Sequence, residues 1–252
     1  MTFSIIARCA DTGAFGAAIT TSDLAVGSRC IRLCHGKGAF LSQHRTDSRL
    51  GDLGIARLAG GQDAQAAMAA VVQSSTDIEW RQLGALDSAG GFDVYHGKRM
   101  YSIFTHSRGD DCLALGNILA NEGVTDAMAA VFAKSTGLPF AERLVRALEA
   151  GEQAGGEILG PLRSAALRVT GEEGIDAYDL RVDISDNAVA DLRGLFEAYG
   201  DRQDALRRVA LNPDAVPVQK RLFEASLARI RERALTDRFP SARHPDDWDV
   251  TA

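Results

Sequence analysis

The chain has 252 residues, of which 46% are hydrophobic, a net charge of −6 and a pI near 5.4. This length suffices for one large domain with a substantial core. Arginine and lysine are spread among acidic residues, which argues against nucleic acid as the main partner. No apolar run approaches the roughly 18 residues of a membrane helix, and no secretion signal opens the chain, so we expect a cytoplasmic protein with no membrane contact.

Strands dominate the first 120 residues. Short apolar runs bounded by turn residues predict hairpins, and apolar residues at helical spacing between Arg49 and Ser74 predict two helices. We expect the last of these strands to close at Asn117 and a loop to follow it. The predicted strands cover residues 3–8, 15–21, 31–34, 38–43, 81–87, 92–95, 101–104 and 112–116.

The rest of the chain is mainly helical in pattern. Thr125 or Asp126 is expected to cap a helix, and residues 140–150 predict an amphipathic helix that stops near Gly151. Strands are predicted at 164–169 and 178–182, and helices from Ala188 onward, interrupted by Pro213 and Pro217. The apolar stripes of these last helices indicate packing on the domain or a homo-oligomer.

The order of hairpins, a helical pair, more hairpins and further helices favours an α+β fold with mainly antiparallel sheets over a doubly wound parallel sheet. The glycines at 51, 54, 60 and 61 do not follow strands as a phosphate-binding loop requires, so we expect no nucleotide cofactor. Cys30 and Cys34-His35 suggest half a metal site, but no second pair with zinc spacing follows. We therefore expect no metal, and reduced thiols rather than disulfides.

Thr2 is the first candidate for chemistry, because a short apolar strand begins directly behind it. Removal of Met1, which a small second residue generally permits, would give Thr2 both a hydroxyl and a free α-amine. An α-amine has a pKa of about 7.7–8.0, so near neutral pH it can accept the hydroxyl proton. Many proteins begin Met-Thr without catalytic meaning, and an ordinary strand start is the alternative.

Several blocks of the sequence together resemble the DUF1028 family, over roughly residues 2 to 200. The blocks are Thr2–Arg8, Gly16–Ser22, Ala25–Cys30, Arg81–Gly84, Gly116–Asn121, Ala141–Leu144 and Asp179–Asp183.

The family is grouped with the N-terminal-nucleophile (Ntn) hydrolases, so the resemblance implies a four-layer αββα sandwich whose first strand bears the nucleophile. It implies an Ntn-hydrolase-like domain at residues 1–200, and we read residues 201–252 as a helical C-terminal extension. The resemblance supplies no securely assigned reaction.

An attack by Thr2 on an amide carbonyl needs hydrogen-bond donors for the oxyanion. Gln43 and Asn117 are the side-chain amides at predicted strand ends, although both also suit a structural role in buried loops. Thr21 and Ser22, at the end of the second strand, are candidates to orient the amine, with ordinary strand-end hydrogen bonding as the alternative.

One feature departs from the proteasome-like members of the superfamily, in which a lysine in an early strand assists the nucleophile. The corresponding stretch here, Arg29–Cys34, contains no lysine. Arg29 supplies charge but cannot exchange a proton. His44 with Asp47 is a candidate acid/base pair, or simply surface polarity, and Cys30 is an alternative nucleophile or a buried thiol.

The sequence therefore supports two functions. The first is an Ntn-type amidohydrolase acting on a small amide or peptide-like substrate, without a cofactor. The second is a catalytically silent Ntn-like protein that binds a small molecule or assembles with partners.

Overall fold

The computed structural model describes residues 1–251, which form two compact units, Met1–Tyr199 and the segment from Gly200. The strands are β1 Thr2–Arg8, β2 Phe15–Thr21, β3 Ile31–Cys34, β4 Gly38–Gln43, β5 Gln82–Asp87, β6 Phe92–His96, β7 Ile103–Gly109, β8 Cys112–Leu119, β9 Ser164–Val169, β10 Tyr178–Val182, β11 Val218–Gln219 and β12 Val250–Thr251. The helices are α1 Val26–Cys30, α2 Ser48–Ala59, α3 Ala64–Gln73, α4 Gly123–Lys134, α5 Phe140–Gln153, α6 Ala188–Leu211, α7 Lys220–Glu232 and α8 Pro240–Arg243.

Two antiparallel sheets form the frame of the first unit. The larger has six strands in the order β10-β9-β2-β1-β8-β7, and the smaller has four in the order β3-β4-β5-β6. Strand β1 thus lies inside the larger sheet, between β2 and β8. In the second unit, β11 and β12 form a short parallel pair beside α7.

The alternation of β1 side chains explains how the layers pack. Phe3 and Ile5 are fully buried in a cluster with residues of α4 and α5, whereas Ile6 points the other way and packs with Leu41 of β4. On the opposite face of β4, Phe40 packs with residues of α2 and α3. Apolar side chains on both faces of β1 and of β4 are therefore buried.

The predicted α+β class with antiparallel sheets is confirmed. Five strands, β2, β3, β4, β9 and β10, have the predicted bounds, because apolar or alternating residues between turn residues mark them locally. The predicted break in the C-terminal helices is also present. Helix α6 ends at Leu211, before Pro213, and α7 begins at Lys220, after Pro217.

Four local expectations were wrong. Strand β8 does not close at Asn117 but runs to Leu119, since the chain around Glu157 supplies further pairing: Ile158 N–H donates to Ile118 O at 3.1 Å. As a result, α4 begins at Gly123 rather than behind a Thr125 or Asp126 cap.

Helix α5 continues past Gly151 to Gln153. The missing side chain of Gly151 lets the helix pack closely on Phe3, since a Cβ on residue 151 would lie 2.9 Å from Phe3 Cε2. Strand β7 covers Ile103–Gly109 rather than residues 101–104.

Candidate active site

Thr2 is the first residue of β1 and is 6% exposed. Its register partner on β8 is Asn117. Thr2 and Ser4 lie on the same side of β1 as Ile6, and so face the four-stranded sheet. The Thr2 Oγ1 lies 3.5 Å from Thr21 Oγ1, and both hydroxyls donate to the Met1 carbonyl oxygen.

A polar cavity of about 250 Å³ opens beside Thr2. Five residues considered as site candidates contribute to its wall: Thr2, Thr21, Arg29, Cys30 and His44. Met1 also lines it, so removal of Met1 would enlarge the space next to the Thr2 amine. The full lining is Met1, Thr2, Thr21, Asp23, Arg29, Cys30, His44, Arg45, Thr46, Tyr101 and Ile118.

The backbone is strained where it borders this cavity. His44, Arg45 and Ile118 have φ values of 55°, 46° and 55°, in the left-handed region that favours glycine. For a β-branched residue such as Ile118 this conformation is a genuine outlier. Strain of this kind concentrates at functional sites, where the surrounding structure over-determines it.

A buried amide network joins both predicted oxyanion donors. Gln43 Nε2 and Asn117 Nδ2 donate to Gln82 Oε1 at 2.6 and 2.9 Å, and Ser4 Oγ donates to Gln43 Oε1 at 2.9 Å. Gln82 Nε2 in turn donates to Gly116 O at 2.8 Å. Gln43 and Asn117 thus lie in one fully buried network near Thr2, and neither lines the cavity.

Glu157 is a site residue that the sequence did not predict. It is 7% exposed, and both of its carboxylate oxygens lie 3.1 Å from the Ser22 backbone N–H. Burial raises the pKa of Glu157, against the opposing effects of hydrogen bonds from Ser22 and Thr21 and of the N-terminal charge. Thr21 therefore lies next to both the Thr2 hydroxyl and the Glu157 carboxylate. The backbone N–H of Ser22 donates to this carboxylate.

His44 does not pair with Asp47. Its Nδ1 lies 2.6 Å from Trp80 O, which can only accept, so Nδ1 carries the proton. Burial lowers the pKa of His44, and the N-terminus and the neighbouring arginines act in the same direction. Asp47 instead caps α2, accepting from Arg49 N at 3.1 Å, and Arg49 lowers its pKa. A local cap bond satisfies Asp47, which lies outside the cavity wall.

Arg29 and Cys30 meet the cavity from α1. Arg29 Nη2 donates to Leu24 O at 2.8 Å and lies 3.5 Å from Asp23. The Cys30 sulfur is buried and lies 3.5 Å from Thr46 Oγ1, and burial raises the pKa of this thiol. A protonated buried thiol is a poor nucleophile, which favours the structural interpretation of Cys30. All four cysteines are free thiols.

A larger cavity, of about 880 Å³, lies elsewhere in the first unit and includes residues of α5 and α6. Its charged groups pair with each other: Arg193 is 2.8 Å from Glu149 and 2.6 Å from Glu142. The smaller Thr2 cavity is therefore the better candidate for chemistry. Within residues 1–251, His, Cys, Asp and Glu form no group of three that could hold a metal ion. Nor does any helix of this described part have the length and apolar character to span a membrane.

The fold and the cavity define a mixed α+β protein with a buried threonine at the start of a central strand. A family model described as a family of unknown function, DUF1028, matches residues 2–192, so the chain belongs to DUF1028.

A crystal structure of a DUF1028 protein from Silicibacter pomeroyi is similar, with 31% identity and a TM-score of 0.72 over 78% of this chain and 85% of that one. Anbu (ancestral beta-subunit) from Yersinia bercovieri aligns with 7% identity and a TM-score of 0.39 over 81% of this chain and 96% of that one. No curated protein matches the chain.

Proposed function

We propose that this protein is an N-terminal-nucleophile amidohydrolase that acts on a small amide or peptide-like substrate, with Thr2 as the nucleophile. The observation that carries the proposal is the position of Thr2, at the start of a strand inside the larger sheet and on the wall of a polar cavity. A nucleophile at this position becomes active when Met1 is removed, because its base is its own α-amine.

The four-layer αββα sandwich is part of the same proposal. Support comes from the three hydrophobic clusters, in which helices α4 and α5 cover one sheet, helices α2 and α3 cover the other, and the sheets share the cluster around Ile6 and Leu41. In such an arrangement Thr2 and Ser4 lie between the sheets, where the cavity lies.

The reaction proceeds through an ester intermediate. Thr2 Oγ attacks the amide carbonyl carbon while its proton passes to the Thr2 α-amine, directly or through one water. Collapse of the tetrahedral intermediate breaks the C–N bond, and the leaving amine takes the proton from the α-ammonium group. Water then attacks the ester carbonyl, and cleavage of the C–O bond releases the acid and restores Thr2.

Asn117, the register partner of Thr2 on β8, is the proposed oxyanion donor, and this role requires that the cavity extends to Asn117 once Met1 has been removed. Its Nδ2 carries two N–H groups, of which one donates to Gln82 Oε1, so a second remains for the oxyanion. One such donor is worth about 10²–10³ in rate in well-studied hydrolases. Gln43 acts beside it as a positioning residue, since its amide is committed at both ends to Ser4 and Gln82.

Glu157 and Thr21 orient the Thr2 amine and hydroxyl in this scheme. The stretch Arg29–Cys34 lacks the lysine that proteasome-like relatives use. The Thr21 hydroxyl lies between Thr2 and the Glu157 carboxylate, and the N-terminal charge acts on that carboxylate. A buried carboxylate at this point holds the α-amine next to Oγ.

The proposal assigns the activity to residues 1–200 and treats residues 201–252 as an extension that mediates homo-oligomer formation. Support for the latter is the exposure of large apolar side chains after residue 200. Leu206, Val209, Leu211 and Leu222 are 42–62% exposed. Size-exclusion chromatography with light scattering tests this, and a monomer at micromolar concentration would contradict it.

Hydrolysis of a panel of small amides by the purified chain tests the catalytic proposal. We expect Thr2→Ala to abolish turnover and Thr2→Ser, which keeps a hydroxyl beside the amine, to retain part of it. Thr12→Ala, in an exposed turn, is the matched control and should turn over substrate like the unmodified protein. Turnover by Thr2→Ala at the unmodified rate would refute the nucleophile. Binding without hydrolysis would favour the catalytically silent alternative.

A further inference from the structure

We propose that the cavity beside Thr2 recognises a carboxylate, so that the substrate is a small acidic amide. This inference rests on the proposed function, because it concerns the substrate of the same site. It is carried by the charges of the cavity wall, their positions and the size of the space.

Two arginines line the cavity, Arg29 and Arg45, against one lining carboxylate, Asp23. The Asp23 side chain lies 3.5 Å from Arg29 and is 73% exposed, so it offsets only part of the Arg29 charge, and it forms no ion pair with Arg45. Glu157 lies close to the N-terminus but is not part of the wall, and its carboxylate is bonded to Ser22. The wall therefore carries two cationic side chains and one anionic side chain.

Both arginines are held in place. The Arg45 guanidinium carbon lies 4.1 Å from the centre of the Trp80 ring, a cation–π contact. Arg29 is tied to Leu24 O at 2.8 Å, and its Nε is buried without an acceptor in the described part of the chain. Arginine presents several donors in a rigid fork that matches a carboxylate. Guanidinium groups held in position in this way favour the binding of a planar anion over that of a neutral group.

Nearby cations act to lower the pKa values of two titratable residues of the wall, His44 and Cys30. The N-terminus, Arg45 and Arg81 all lower the pKa of His44. Burial raises the pKa of Cys30, and Arg29, Arg32 and the N-terminus act in the opposite direction. The charged groups that act on both residues are cations, so the cavity favours a negative ligand.

The space also limits the size of the substrate. Drug-sized ligands occupy pockets of about 300–1,000 Å³, whereas this cavity has about 250 Å³ with Met1 present. Departure of Met1 adds the room of one side chain. A small amide with one carboxylate fits these limits better than a long peptide.

Acylation of Thr2 by a matched pair of β-lactones tests the inference on the full chain that begins at Thr2. The two probes differ only in carrying a carboxylate or the corresponding carboxamide. Thr2 Oγ forms a bond to the lactone carbonyl, the ring C–O bond breaks, and the ring oxygen takes the hydroxyl proton, so no other reactant is needed. Intact mass measured against time gives the two acylation rates.

We expect the acidic probe to react about tenfold faster, since a charge-assisted hydrogen bond is worth about one order of magnitude. Arg29→Gln and Arg45→Gln should each bring the rate ratio towards one, and added salt should do the same. Arg49→Gln is the matched control: Arg49 is exposed, bonded to Asp47 and outside the cavity. It should leave the ratio unchanged.

Equal rates for the two probes on the unmodified protein would overturn the carboxylate assignment while leaving Thr2 as a nucleophile. Failure of both probes to acylate a chain that begins at Thr2 would refute the proposed function, and this inference with it. If Arg29→Gln does not fold, Arg45→Gln still decides, because Arg45 is exposed and its replacement removes a cation–π contact with the half-buried Trp80 rather than a contact in the core.

Discussion

Gln82 holds the amide network beside Thr2, and its replacement by leucine should be costly. Gln82 is fully buried and accepts hydrogen bonds from both Gln43 and Asn117. Leucine has a similar volume, so the main effect is the loss of an acceptor for two buried donors. Each unsatisfied donor costs about 1–3 kcal/mol. With partial relaxation, we expect the free energy of unfolding to fall by about 3 kcal/mol.

Thermal unfolding followed by circular dichroism measures this effect. For a chain of this size, 1 kcal/mol shifts the midpoint by about 2–4 °C, so Gln82→Leu should lower it by about 6–12 °C. Gln62→Leu, at an exposed position, is the control and should change stability by less than about 0.5 kcal/mol. A loss below about 1 kcal/mol for Gln82→Leu would show that Gln43 and Asn117 find other acceptors, and would refute the network as their anchor.

Two further predictions concern packing and pH. Gly54→Ala places a Cβ 2.3 Å from Phe40 Cδ2 and should lower the free energy of unfolding by about 1–3 kcal/mol. Gly194→Ala, also in a helix but facing open space, should raise it by about 0.5–1 kcal/mol. Equal thermal midpoints for the two variants would contradict the close approach of α2 to Phe40. Burial, with a smaller effect of His106, lowers the pKa of His96 from 6.5 to about 4. As the pH falls, His96 is therefore protonated in the unfolded chain before it is protonated in the folded protein. The free energy of unfolding should fall by about 1–2 kcal/mol between pH 6.5 and 4, after allowance for the partial exposure of His96. His96→Asn should flatten the pH dependence in urea titrations, and an unaltered slope would exclude His96 as its source.

The sequence predicted the parts of the fold that local patterns determine. Strands β2 and β9 lie between clear turn residues and carry apolar side chains, so their bounds could be set from the sequence. The end of β8 could not, because residues after Asn117 pair with a segment near Glu157, about 40 positions away. Helix α5 passed Gly151 for a similar reason, since a tertiary contact with Phe3 favours glycine there.

The candidate site likewise contains some residues that local sequence patterns could identify and others that they could not. Thr2 and Asn117 could be chosen as polar residues next to predicted strands, and they are register partners in the sheet. Gln82 and Glu157 act through partners 35 and 135 positions away, which no local spacing reveals. A carboxylate directly after Gly155-Gly156 was the available signal for Glu157. The sequence predicted Asp47 as an acid/base partner of His44, but Asp47 caps the N-terminus of α2, a position that aspartate favours.

Intact mass combined with N-terminal sequencing of the purified, untagged protein tests the central claim most directly. The hydrolase account requires a free amine on Thr2, because that amine is the base for the neighbouring hydroxyl. It therefore predicts a chain that begins at Thr2. Quantitative retention of Met1 would contradict the account, since an amine held in a peptide bond cannot accept the proton.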